Sequence, residues 1–113
     1  MTRTYRILVK GRFENLSDDQ RKQLLAEQDE HDMFAASYTP QGTFLYTPVL
    51  VGYQFRYLLH IDEDSPADAD VAAEMEAHEL AEAGMRDRGL QGRIIDISLT
   101  CLEDMKIRGG KRR

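Results

Sequence analysis

Residues 52–66 read GYQFRYLLHIDEDSP, a strand pattern that passes directly into the start of a helix. From Tyr53 to Ile61 an aromatic or aliphatic side chain occupies every second position, which is typical of a strand with one buried face. Ser65 and Pro66 then match the residue types preferred at the N-cap and first position of an α-helix. This stretch therefore predicts a half-buried strand followed by a helix that begins at residue 66.

The residues after Pro66 predict a long helix that lies close to a sheet. One side of this helix contains mainly small residues, namely Ala69, Ala73, Ala77, Leu80, Ala81 and Gly84. We expect the helix to end near Arg88, because Gly89 suits the left-handed conformation that often follows a helix. Leu90 is then expected to pack on Met85 in a Schellman motif.

Two more alternating segments and a second helix flank this unit. In residues 4–13, one face of the predicted strand contains Tyr5, Ile7, Val9 and Phe13. In residues 92–103, Ile95, Ile97, Leu99 and Cys101 alternate with Ile94, Asp96, Ser98, Thr100 and Leu102. Ser17 and Gln20 have the spacing of a capping box, which predicts a helix to about His31 with Leu24 and Leu25 as its anchors.

The order of these elements predicts an α+β fold of the ferredoxin-like, split βαβ sandwich type. Right-handed crossovers place both helices on one face of an antiparallel sheet, with the first and third main strands in its centre. Residues 33–49 are interpreted as an extra hairpin or one long bent strand around Pro40 and Gly42. We expect one domain over residues 1–104 and a flexible tail over residues 105–113.

Length and charge restrict the class of protein. A chain of 113 residues with 42% hydrophobic residues supports one core, which excludes a multidomain enzyme. Its net charge of −5 disfavours nucleic acid as a partner, although residues 105–113 contain five bases and no acid. There is neither a secretory pattern nor an apolar run that could span a membrane, and Cys101 is the only cysteine, so we expect a cytoplasmic protein.

No motif identifies a catalytic centre, a cofactor or a metal. The segment from His78 to Glu82 is similar to the zinc-protease helix motif, but Glu82 stands in place of the second histidine. Tyr53 and Phe55 partly match an RNA-binding strand motif, yet their pattern indicates core residues. Because neither a nucleophile elbow nor a phosphate loop occurs, the sequence predicts no cofactor and no metal, and it leaves open whether the protein is an enzyme.

The open face, meaning the sheet surface opposite the helices, contains the candidate functional residues. Alternation places these side chains there: Arg6, Leu8, Lys10, Arg12, Gln54, Arg56, Leu58, His60, Ile94, Asp96, Ser98, Thr100 and Leu102. An apolar centre on such a face is typical of a surface covered by a subunit, a ligand or the chain's own tail. We predict a homodimer interface at Leu8, Leu58 and Ile94, and ligand binding by Arg6, Arg56 and His60.

Two functional hypotheses follow from this face. The first is a homodimeric binding or accessory protein that performs no chemistry of its own. The alternative is a small enzyme of the dimeric α+β barrel type, in which two sheets enclose a pocket for a small, anionic molecule. His60 and Asp96 would then be the candidate catalytic residues, and Arg56 would hold the substrate.

Several local stretches also resemble a known family. These are Tyr5–Phe13, the helix start at Leu16–Arg21, Tyr38–Phe44, Tyr53–Tyr57 and the end of the Ala-rich helix at Arg88–Gly89. Together they resemble a family of short bacterial proteins known only as a domain of unknown function. The resemblance implies the fold and brings no catalytic residues.

Overall fold

A computed structural model describes residues 2–32 and 37–104, and within them four strands form one antiparallel sheet. The strands are β1 (Thr2–Phe13), β2 (Thr43–Tyr46), β3 (Gly52–Asp62) and β4 (Gly92–Cys101), in the spatial order β2-β3-β1-β4. The helices are α1 (Asp18–Ala26) and α2 (Pro66–Asp87), and a short 3₁₀ helix, Gln28–His31, follows α1. This α+β fold, with β1 and β3 in the centre, is compatible with the predicted ferredoxin-like type. Neither α1 nor α2 is long and apolar enough to cross a membrane.

The core lies between the sheet and α2. Among the predicted inward residues of β1 and β3, Phe13 is half-buried. The others are buried, namely Tyr5, Ile7, Val9, Tyr53, Phe55, Tyr57, Leu59 and Ile61. The side of α2 that faces the sheet has four fully buried alanines, Ala69, Ala73, Ala77 and Ala81. The helix therefore lies close to the strands, as predicted. Leu80 is exposed instead, because its position on α2 faces away from this contact.

The ends of α2 are the predicted ones. The Ser65 hydroxyl accepts a hydrogen bond from the backbone N–H of Asp68 at 3.1 Å. At the other end Gly89 has a φ of 68°, and the N–H of Leu90 donates to the Met85 carbonyl at 3.0 Å. Both Leu90 and Met85 are buried, which confirms the Schellman motif.

Helix α1 is shorter than predicted, and its Leu24 carbonyl accepts a hydrogen bond from the hydroxyl of Tyr46 in β2. Its capping box between Ser17 and Gln20 is confirmed, but the α-helix ends at Ala26. Leu24 is buried, whereas Leu25 is 49% exposed, so the prediction of Leu25 as an anchor is wrong. Consecutive residues of a helix point about 100° apart, so the side of α1 that buries Leu24 leaves Leu25 facing away.

The segment before β3 differs from the predicted hairpin. β2 pairs with β3, and Thr39 makes one isolated bridge to Tyr57, so the described residues 37–46 form no hairpin of their own. Residues 33–36 of the predicted first strand, and the predicted tail over 105–113, lie outside the described residues. Gly42 has a φ of 89°, which confirms the predicted turn.

A β-bulge changes the faces of β4. The register against β1 shifts between Lys10 and Gly11, so that Ile94 lies opposite Gly11 and packs against the core. The predicted place of Ile94 on the open face is therefore wrong, and Ile95 is the residue left 56% exposed. One inserted residue reverses the alternation of the strand on one side of the bulge.

Candidate functional site

The centre of the open face contains two leucines and two arginines in a diagonal arrangement. Leu8 of β1 lies opposite Arg56 of β3, and Arg6 lies opposite Leu58. Arg56, Leu8 and Leu58 are half-buried and Arg6 is exposed. The structure therefore brings together four of the residues that the sequence singled out.

Tyr38 lies over this centre, next to both arginines. The centre of its ring is 5.8 Å from the guanidinium carbon of Arg6 and 5.7 Å from that of Arg56. The neighbouring Thr39 holds this segment to the sheet edge, since its carbonyl accepts a hydrogen bond from the N–H of Leu58 at 2.9 Å. Each cation–π contact contributes about 0.5–1 kcal/mol at an exposed site, so the ring keeps both positive groups close together.

Basic side chains dominate the open face. The strand registers place five bases there, Arg6, Lys10, Arg12, Arg56 and Arg93, against two acids, Asp62 and Asp96. The chain as a whole has a net charge of −5, and acidic residues are concentrated on the exposed side of α2. The two surfaces of the molecule thus have opposite charge, and the open face attracts anions.

The two candidate catalytic residues lie at opposite ends of the face. His60 lies opposite Thr4, whose hydroxyl oxygen is 3.1 Å from its Nδ1 atom, while Asp96 lies opposite Lys10. Thr4 and Lys10 are separated along β1 by roughly 20 Å, at about 3.3 Å per residue. Within one chain, therefore, His60 and Asp96 do not face a common cavity.

The chain itself already covers part of the open face. Leu45 of β2 lies opposite Gln54, on the open side, and is only 1% exposed. By contrast, Arg6, Lys10, Arg12 and His60 are exposed. The accessible part of the face is consequently its β1 and β4 side together with the end of β3 at His60, and not its whole width.

Among the described residues, His78 is not part of a metal-binding group. Its Nδ1 atom is 3.4 Å from a carboxylate oxygen of Glu82, one helical turn away. Across residues 2–32 and 37–104, no three His, Cys, Asp or Glu side chains are placed to hold a metal ion together. Cys101 is buried, as its alternating pattern predicted.

A polar cluster at one end of the sheet joins the start of β1 to the residues after β4. Arg3 pairs with Asp104 at 2.9 Å, and the backbone N–H of Thr4 donates to the Glu103 carboxylate at 2.8 Å. This N–H holds the pKa of Glu103 below its ordinary value. Tyr5 also belongs to the cluster, and burial raises the pKa of its hydroxyl. We interpret this cluster as a structural contact that holds the start of β1 to the residues after β4.

Two of the grooves formed by the described residues lie beside the end of α2. The larger, of about 300 Å³, lies between the end of α2 and the start of β4 and has Tyr53 in its lining. The smaller, of about 200 Å³, lies between α1 and the end of α2. In the smaller groove the guanidinium carbon of Arg88 lies 4.5 Å from the centre of the Phe44 ring.

One family model matches the whole chain, residues 1–113. The chain belongs to the Family of unknown function (DUF6204). This membership confirms the resemblance seen in the sequence and assigns no activity. No curated protein and no solved structure is significantly similar to the chain.

Two features of this family member were missed in the sequence. Tyr38 was not among the candidate residues, although the turn signal at Pro40 and Gly42 indicated that the chain bends back next to it. The groove beside Tyr53 was also missed. A pair of glycines, Gly11 and Gly92, at the same end of neighbouring strands was the available signal.

Proposed function

We propose that this protein is a cytoplasmic binding or accessory protein whose open face binds a small anionic molecule and joins two copies of the chain. The observation that carries the proposal is the meeting of Arg6 and Arg56 at the Tyr38 ring, on a basic face of an acidic chain.

Two guanidinium groups close together favour an anion with several oxygen atoms. Arginine presents a planar set of N–H donors that matches carboxylate and phosphate oxygens. The side chains of Arg6 and Arg56 come from adjacent strands and meet at one ring, so a single anion can contact both. His60 lies on the same face, two residues along β3 from Leu58, where it can contact a longer ligand.

Association of two copies through this face depends on the same anion. Covering Leu8 and Leu58 in both copies removes apolar surface from water at roughly 25 cal/mol per Å². Two basic faces in contact repel each other, however, and an anion between them offsets that repulsion. We therefore expect the dimer to be more stable in phosphate than in chloride at equal ionic strength.

Arginine variants test the ligand. Inorganic phosphate and citrate, titrated at constant ionic strength and followed by amide NMR shifts, should bind the wild-type protein on the open face. Arg6→Gln and Arg56→Gln should each weaken binding about 10-fold or more, because a hydrogen bond to a charged group contributes about 1.5–3 kcal/mol. Arg21→Gln removes the same charge from the exposed side of α1 and serves as the control. Equal binding by all three variants would contradict the proposal.

Leu58→Asp tests the association. The new carboxylate lies opposite Arg6, so the monomer should fold normally by circular dichroism while the dimer is lost in sedimentation velocity. Val71→Asp is the matched control, because Val71 is an exposed aliphatic residue on α2. A wild-type protein that stays monomeric at high micromolar concentration in phosphate, or a Leu58→Asp protein that stays dimeric, would show that the interface is elsewhere.

A further inference from the structure

The larger groove on the helix side of the sheet has the composition of a ligand site. It has a volume of about 300 Å³, and its apolar lining includes Met85, Leu90 and Ile94. The bulge in β4 turns Ile94 to this side of the sheet and into the lining. Bulges often reorient a side chain next to a functional site.

Two glycines make room for Tyr53 in the lining of this groove. A Cβ atom on Gly11, the β1 neighbour of Tyr53, would lie 2.2 Å from the ring carbon Cζ. A Cβ atom on Gly92, at the start of β4, would lie 2.8 Å from Cε2 of the same ring. The ring of Tyr53 therefore extends from β3 across β1 towards β4, which places its hydroxyl end at the groove.

The hydroxyl of Tyr53 has no protein partner in the described part of the chain. The residue is 2% exposed and lines the groove, yet its hydroxyl makes no hydrogen bond to any described residue. By contrast, the hydroxyl groups of the similarly buried Tyr5 and Tyr46 donate to Asp70 and to the Leu24 carbonyl. The hydroxyl is accessible from the groove and is therefore available to a molecule bound there.

The lining of the groove contains two carboxylates, Glu14 and Glu82, and one base, Arg86, so the lining itself has a net negative charge. The neighbouring Arg93 and His78 approach these carboxylates at 3.8 and 3.4 Å, and both glutamates are about half exposed. Burial, followed by the charges of Glu14 and Glu82, raises the pKa of Tyr53. Its hydroxyl is therefore neutral at physiological pH and can accept a hydrogen bond.

We infer that this groove binds a small primary amine in its protonated form, with a short apolar body. The ammonium group donates to Glu14, Glu82 and the Tyr53 hydroxyl, and the apolar body packs on Met85, Leu90 and Ile94. This site lies on the opposite side of the sheet from the open face, and it does not depend on the function proposed for that face.

Three probes that contain four carbon atoms each test the inference: n-butylammonium, n-butanol and butyrate. In an amide NMR titration, n-butylammonium should produce saturable shifts at Leu90, Gly92 and Ile94. Butanol should bind at least fivefold more weakly and butyrate should not bind. Equal or tighter binding of butyrate, or no saturable shift with n-butylammonium, would overturn the inference.

Two variants assign the contacts. Tyr53→Phe removes only the hydroxyl, and Glu82→Gln removes one exposed charge, so each should fold and should weaken n-butylammonium binding at least threefold. Glu76→Gln makes the same charge change at another exposed position on α2, outside the groove lining, and should bind like the wild type. Binding reduced equally in Glu82→Gln and Glu76→Gln would indicate general attraction to an acidic helix and would overturn the site.

Discussion

Gly11 shows how a single residue determines the packing at the end of the sheet. It is buried, and the ring of Tyr53 occupies the space where a side chain would be. A ring carbon lies 2.2 Å from the position of an added Cβ, a separation that real structures do not tolerate. Either the ring or strand β1 would have to move.

Gly11→Ala is therefore expected to destabilise the protein by about 1–3 kcal/mol, the usual cost of overpacking. Urea denaturation measures this loss. Lys10→Ala, at the exposed neighbouring position, should change the free energy of unfolding by less than about 0.5 kcal/mol. A Gly11→Ala protein as stable as the wild type would show that the Tyr53 ring can leave its place freely.

At the C-terminal end of α2, glycine is favoured at position 89 because of its backbone conformation and not because a side chain would lack space. Gly89 has a φ of 68°, and an added Cβ would meet no atom within 4 Å. The cost of a side chain at this position is therefore the cost of the left-handed conformation alone, about 1–2 kcal/mol for most L-residues. Asparagine tolerates that conformation better than alanine.

We expect Gly89→Ala to lower the free energy of unfolding by about 1 kcal/mol and Gly89→Asn to lower it by less. Thermal and urea unfolding of the two variants, compared with the wild type, check the order. If Asn proved as costly as Ala, a contact of the larger side chain, and not φ, would determine stability at this position.

For the whole molecule, the polar cluster at the start of β1 makes stability depend on pH. The Glu103 carboxylate accepts the Thr4 N–H, and its pKa is lower in the folded protein than its ordinary value. Its contribution is fully present above the ordinary glutamate pKa of about 4.3 and is lost as the pH falls through the lower folded-state value.

Glu103→Gln should therefore reduce the dependence of stability on pH in the acid range, with the larger difference from wild type at neutral pH. Urea unfolding between neutral pH and about pH 3 measures the profile. Glu63→Gln removes a carboxylate at an exposed position and is the control. Parallel profiles for wild type and Glu103→Gln would mean that this hydrogen bond has no net effect on stability.

The sequence alone determined the elements whose signals are local. Ser65 and Gly89 mark the ends of α2 because the hydrogen bonds that cap a helix join residues close in the chain. Alternation assigned the faces of β1 and β3 because their side chains follow the strand period without interruption, from Tyr5 to Val9 and from Tyr53 to Ile61. The arginines and leucines at the centre of the open face follow from the same rule.

Only the tertiary structure decided the features that depend on contacts between distant segments. The bulge opposite Lys10 and Gly11 moved Ile94 to the core side, because strand register is set by pairing and not by the sequence of β4 alone. Tyr38 lies next to Arg6 and Arg56 because the neighbouring Thr39, outside the regular strands, is hydrogen-bonded to Leu58 of β3. Both candidate ligand sites depend on such contacts, and for this reason neither could be completed from the order of residues.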